Sequence, residues 1–288
     1  MAWHHANFGI GSFRFSVRTP FDEVAEDISK IYPDALTAPA HTFSDFAITI
    51  QSVSPLRRYL RRQVDFLCDA QRPFKPLPRA QAYPMLEWGM NWCVANHAHQ
   101  FLILHAAVIE KLGSAVVLPA EPGAGKSTLT AAMVHRGWRL LSDELALISL
   151  DSPLVHPFPR PINLKNDSID IVQDIYGDAA VMSRRVPDTH KGTIALLQAP
   201  SASVSRMLEP AKIGALAFPR YESGRGLETE EVADAVAFQM AIGHAFNYTT
   251  VGEQGFKSLG SVIKTTNPCQ FRYSSFDAVD EFLTGLVS

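Results

Sequence analysis

The residues best suited to chemistry are consecutive: Ala120-Glu121-Pro122-Gly123-Ala124-Gly125-Lys126-Ser127-Thr128. Gly123 and Gly125 let the backbone turn its N–H groups inward, because glycine takes positive φ without steric cost. Amides gathered this way, at the positive end of a following helix, favour a polyphosphate. Lys126 adds a point charge for terminal phosphates, and the Ser127 hydroxyl can sit on Mg²⁺. The usual first glycine of the G-x-x-x-x-G-K-[ST] pattern is Ala120, which is tolerated if its φ stays negative. Residues 115–118 read as a buried strand, and Leu129, Ala132 and Met133 fall at helical spacing afterwards. That strand–loop–helix order separates a phosphate loop from an ordinary glycine turn.

Asp143 and Glu144 form the second constellation. The short strand 138–141 delivers them at its carboxyl end, where a carboxylate can hold Mg²⁺ or take a proton from an attacking hydroxyl. Neighbours in extended chain point to opposite faces. One acid is therefore expected toward the nucleotide, and the other toward the metal shell or a structural hydrogen bond. A further cation and an imidazole enter as candidates: Lys191, in the polar loop 186–193, and His105, within the apolar run 101–109. A surface loop and a core histidine are the plain alternatives for these. Asn96-His97-Ala98-His99 is rich in imidazole but lacks a third ligand at metal spacing.

The elements that must hold these residues follow from periodicity. Strands are expected over 13–17, 43–53, 101–109, 115–118, 138–141, 145–150, 194–197, 213–218 and 271–273, and helices over 21–31, 81–97, 169–176, 228–246, 256–263 and 276–286. In the helix 228–246, Thr229 is the expected cap. Trp88 and Trp92 lie on a helix apolar all round, which reads as burial. Gly137 fits a left-handed stop after the loop's helix. Arg57, Arg58, Arg61 and Arg62 gather on one side of a short helix, a solvated face by default. Pro73, Pro76 and Pro78 mark a linker. A boundary near residue 80 divides an α+β portion (1–80) from a larger α/β portion (81–288).

The 288 residues allow one large or two modest domains, and 47 % hydrophobic content supplies a core. A formal charge of −3 gives no field to gather nucleic acid, so none is expected as partner. The scattered Cys68, Cys93 and Cys269 read as thiols of a reducing compartment. With no signal-peptide pattern at residues 1–5 and no apolar run of membrane length, the expected location is cytoplasmic, without a membrane partner.

Taken together, the loop, Leu104-His105-Ala106-Ala107, the segment 136–144 and His190-Lys191-Gly192 resemble the HPr kinase/phosphorylase family, and more closely its HPr-kinase-related branch. The resemblance implies a P-loop kinase core of the HPr kinase C-terminal-domain type, a mixed sheet flanked by helices, behind a smaller N-terminal portion. It implies ATP and Mg²⁺ as cofactors, a protein or peptide carrying an acceptor serine as partner, and possible homo-oligomers. By it Asp143 stands as acid/base, Glu144 replaces a second aspartate, and His105 tunes the acid or touches phosphate. Lys191 neutralises the transferring group. Ala106 stands where the family has glycine, and the glycine signature around Lys191 is largely absent. Two other readings stay open: a small-molecule P-loop kinase, and a nucleotide-binding switch without transfer.

Overall fold

A computed structural model describes residues 2–35, 43–54 and 62–288. The fold is mixed α/β, with parallel and antiparallel strand pairs and flanking helices. The chain opens with β1 (His4–Ile10) and β2 (Phe13–Thr19), then α1 (Asp22–Ile31), β3 (Phe46–Ser52), β4 (Gln63–Cys68) and the short β5 (Leu77–Pro78). These strands form one five-stranded sheet in the order β1-β2-β3-β4-β5. Strand β1 lies outside the sequence expectation; its alternation is weak because only Phe8 and Ile10 are fully buried. Of the arginine cluster only Arg62 is among the described residues; Arg57, Arg58 and Arg61 lie outside them.

Helix α2 (Ala82–His97) lies against this sheet. Pro84 falls in its first turn, where a missing N–H costs no helical bond. Gly89 faces the Phe66 ring so closely that a Cβ there would lie 1.9 Å from it, so only glycine lets α2 settle onto β4. One hydrophobic cluster runs from Phe8 and Phe15 through Phe66, Leu86 and Met90 to Phe101, Leu147 and Phe158, and so crosses position 80.

Beyond α2 come β6 (Phe101–Lys111), β7 (Ser114–Pro119), α3 (Lys126–His135), β8 (Arg139–Ser142), β9 (Leu145–Ser149) and β10 (Leu154–His156). Next are β11 (Ile162–Lys165), α4 (Asp167–Tyr176), β12 (Val186–Thr189), β13 (Gly192–Leu197) and α5 (Ser201–Ser205). The chain closes with β14 (Ala211–Tyr221), β15 (Glu228–Glu231), α6 (Asp234–Gly243), α7 (Tyr248–Thr266), β16 (Cys269–Tyr273) and α8 (Phe276–Val287). The main sheet runs β10-β9-β6-β7-β14-β16-β15, with β8 beside β6 and β10 closing back onto β14. Strands β11, β13 and β12 make a smaller sheet.

The helix expected over 228–246 is divided. Glu228–Glu231 is an edge strand antiparallel to β16, and the helix begins at Asp234. Three glutamates suit a first helical turn, but an open strand edge offers backbone partners, and such tertiary context overrides local preference. Gly137 takes φ 89° after α3, as its role in a left-handed stop requires.

Candidate functional site

Strand register assembles the site. In β6, Ala106 pairs with Pro119 of β7, and His105 pairs with Leu145 of β9. His105 therefore lies between the strand that enters the glycine loop and the turn that carries the two acids. The loop itself turns through left-handed glycines, Gly123 at φ 90° and Gly125 at φ 84°, while Ala120 is not among the positive-φ residues. The Ala124 N–H donates to the Glu121 carbonyl at 3.1 Å. From the far side, the Tyr221 N–H at the end of β14 donates to the Ala124 carbonyl at 3.1 Å. A Cβ on Gly125 would lie 2.9 Å from Tyr221 Cβ and 3.0 Å from the Tyr273 hydroxyl, so this glycine is required on two counts. Helix α3 starts immediately, and its free N–H groups open toward the loop.

Lys126, Ser127 and Asp143 meet beneath the loop. The Lys126 ammonium is buried and donates to the Asp143 backbone carbonyl. Ser127 Oγ donates to Asp143 Oδ2 at 2.9 Å, and the Asn163 N–H reaches the same oxygen at 3.2 Å. Asp143 Oδ1 is buried without a hydrogen bond and lies 3.8 Å from Lys126 Nζ. Burial pushes the Asp143 carboxyl above its usual pKa, against the pull of Lys126.

Glu144 differs from its neighbour. Asn91 of α2 donates to Oε2, and Asn163 Nδ2 lies 3.4 Å from Oε1. Burial favours its neutral form, but Lys126, Lys191, Arg160 and His105 outweigh this and hold its pKa below the ordinary value. Asp143 and Glu144 occupy a bend between β8 and β9, not extended chain, so strand alternation does not govern them. Lys126 acts on both.

An open groove of about 480 Å³ lies beside the acids, walled by Trp88, Trp92, Phe246, Asn91, His105, Glu144 and Lys191. Lys191 sits over the Trp88 ring at 5.2 Å, and His105 stacks on Phe246 at 5.7 Å. Burial, with Lys126 next, lowers the His105 pKa to about 4, so the imidazole is neutral at pH 7. The groove corrects the reading of Trp88 as a core residue, while Trp92 still packs on the N-terminal core and Phe74; both are half-buried, because α2 packs one side onto the N-terminal sheet and turns the other to the groove.

The structure thus brings together His105, Lys126, Ser127, Asp143, Glu144 and Lys191, with the loop residues Glu121, Pro122, Gly123, Ala124, Gly125 and Thr128 alongside. Sequence reasoning missed Asn91, Asn163 and Phe246. Single asparagines carry no spacing signal, and Phe246 arrives only because its N–H bonds to the Ile103 carbonyl at 2.9 Å.

For Mg²⁺, the chemical fit is good. The ion takes one or two carboxylates beside phosphate and water oxygens. Ser127 Oγ and the Glu144 carboxylate, which is held in its charged form, are hard donors of that kind. Among the described residues, no helix is long and apolar enough to cross a membrane.

No protein-family model and no curated protein matches the chain. Among solved structures, it is similar to the Hpr(Ser) kinase/phosphatase from Coxiella burnetii, at 12 % identity over 64 % of this chain and 93 % of that one, with a TM-score of 0.28.

Proposed function

We propose that the chain is a kinase that transfers a phosphoryl group from ATP to a serine hydroxyl of a protein or peptide. The observation that carries this reading is the loop: two left-handed glycines open α3 directly above a lysine, a serine and an aspartate that are already in contact. Backbone N–H groups of Gly123, Gly125, Lys126 and Ser127 would hold the phosphates, with the α3 N-terminus adding its partial positive charge. Lys126 would leave the Asp143 carbonyl for a phosphate oxygen. Ser127 and an acid would hold Mg²⁺, which supplies charge neutralisation on the phosphates when bound.

Asp143 is the proposed base. Its Oδ1 has no hydrogen bond and can accept a hydroxyl proton, and its raised pKa increases its proton affinity. His105, neutral at pH 7, would orient the hydroxyl or the acid without adding charge. Lys191 would offset charge on the transferring group. A second reading exchanges the two acids, because Glu144 and not Asp143 lines the groove.

The test is incubation with γ-labelled ATP, Mg²⁺ and serine peptides, comparing Asp143→Asn with Glu144→Gln. The proposal expects label on peptide, and a loss on the order of 10²–10⁴ for the variant that removes the base. Label on a metabolite would point to a small-molecule kinase, and binding without transfer to a switch. Full transfer by Asp143→Asn would eliminate this residue as base.

A further inference from the structure

Among the described residues, six buried side-chain nitrogen and oxygen atoms lack a hydrogen bond. Three of the six, Asp143 Oδ1, Arg160 Nε and Asn163 Oδ1, belong to residues that line one small cavity. It adjoins the groove and shares Trp88, Asn91 and Glu144 with it, but is far smaller, about 10 Å³ against 480 Å³. Asp143, Asn163 and Arg160 are 2, 4 and 7 % exposed, so bulk solvent does not serve their polar atoms. Burying such atoms unpaired is unfavourable, and three around one cavity point to a shared partner.

The other polar atoms of the three side chains are already engaged. Asp143 Oδ2 accepts from Ser127 Oγ and the Asn163 N–H. Asn163 Nδ2 lies 3.4 Å from Glu144 Oε1, which identifies the remaining atom of that amide as its oxygen. Arg160 donates through its terminal nitrogen to the Glu87 carbonyl and carboxylate. What is left is one donor, the guanidinium Nε–H, and two acceptor oxygens. The partner that completes this set accepts one hydrogen bond and donates two. A cation would face the guanidinium, an anion would face two oxygens, and an alcohol has one proton too few. Water has the required complement. The size agrees: about 10 Å³ of space open to the centre of a water molecule accommodates one.

We infer that this cavity binds a single ordered water, which donates to Asp143 Oδ1 and Asn163 Oδ1 and accepts from Arg160 Nε. The water links the proposed catalytic acid to the Arg160–Glu87 pair without locking it, because a water, unlike a side chain, can be exchanged for another hydroxyl. Mg²⁺ is left to Ser127 and Glu144, since Asp143 Oδ1 shares its cavity with a guanidinium. The water site does not depend on nucleotide binding and stands or falls apart from the kinase reading.

A crystal structure of the full chain grown with MgCl₂, at a resolution that reveals ordered water, is the direct test. One peak is expected within hydrogen-bond distance, about 2.7–3.2 Å, of all three atoms. An empty cavity, the three side chains closed onto one another, or a metal about 2.1 Å from the two oxygens would each overturn the inference. In solution, oxygen-17 magnetic relaxation dispersion counts long-lived internal waters. Asn163→Leu replaces the amide by methyl groups of similar volume and should lower that count by one, with circular dichroism checking the fold. An unchanged count in a folded variant would contradict the site. Should the variant not fold, the crystal structure of the unaltered chain still decides.

Discussion

Glu87 and Asp143 are both buried carboxylates, 1 % and 2 % exposed, and each has a buried cation beside it. Their surroundings differ in one respect. Both Glu87 oxygens accept from the Tyr32 hydroxyl, at 3.0 and 2.8 Å, and the Arg160 guanidinium donates to its Oε2 and its backbone carbonyl. Asp143 keeps one oxygen without a donor, and the Lys126 ammonium rests on a carbonyl instead. Arginine in a rigid fork fixes a pair in place, whereas lysine is a mobile point charge. Glu87 thus ties α1, α2 and the segment before β11 together, and Asp143 is left able to take a further partner. In this pair the unmatched oxygen, not burial, separates the acid of the candidate site from the acid of the scaffold.

Stability measurements on the two acids test that contrast most severely. Glu87→Gln, which like Asp143→Asn keeps the shape and removes only the charge, leaves Arg160 buried without its counter-ion and should cost about 3–5 kcal/mol in urea unfolding. Asp143→Asn removes a carboxyl whose charge is already disfavoured by burial and leaves Lys126 the charge of Glu144, and should cost less, about 1 kcal/mol. Equal losses would end the distinction between scaffold and site.

The loop sharpens the comparison at smaller scale. Gly123→Ala meets only the left-handed backbone, since a Cβ there has nothing within 4 Å, and should cost about 1–2 kcal/mol. Gly125→Ala adds the crowding against Tyr221 and Tyr273 and should cost measurably more. If the two variants unfolded alike, the packing of β14 and β16 against the loop would be irrelevant.

The smallest effect is a pH slope. His105 has its pKa lowered from 6.5 to about 4, so between these values the unfolded chain binds more protons than the folded one. Stability should therefore be fully present above pH 6.5 and fall as the pH drops toward 4. His105→Gln should flatten part of that fall in Tm against pH; an unchanged slope would assign it to other groups.

Much of the site is legible in the sequence because it is local. The glycine loop, its strand and helix, and the acids after β8 are runs of adjacent residues, so spacing alone exposes them. Asn163 is not legible: it reaches Asp143 only because β11 passes the bend after β8. Trp88 and Trp92 stand out but read as core, because an apolar helix between a sheet and a groove has the same pattern as one buried on all sides. The strand 228–231 escapes for a related reason, its fate being decided by β16, which comes two helices later in the chain.

Calorimetric titration of the full chain with Mg-ATP tests the central claim most directly, that the loop 120–128 wraps a nucleotide's phosphates. The account expects a saturable heat, and at least about tenfold weaker binding in Lys126→Ala, the loss of one charge-assisted contact. No heat from the unaltered chain, or equal affinity in the variant, would contradict it.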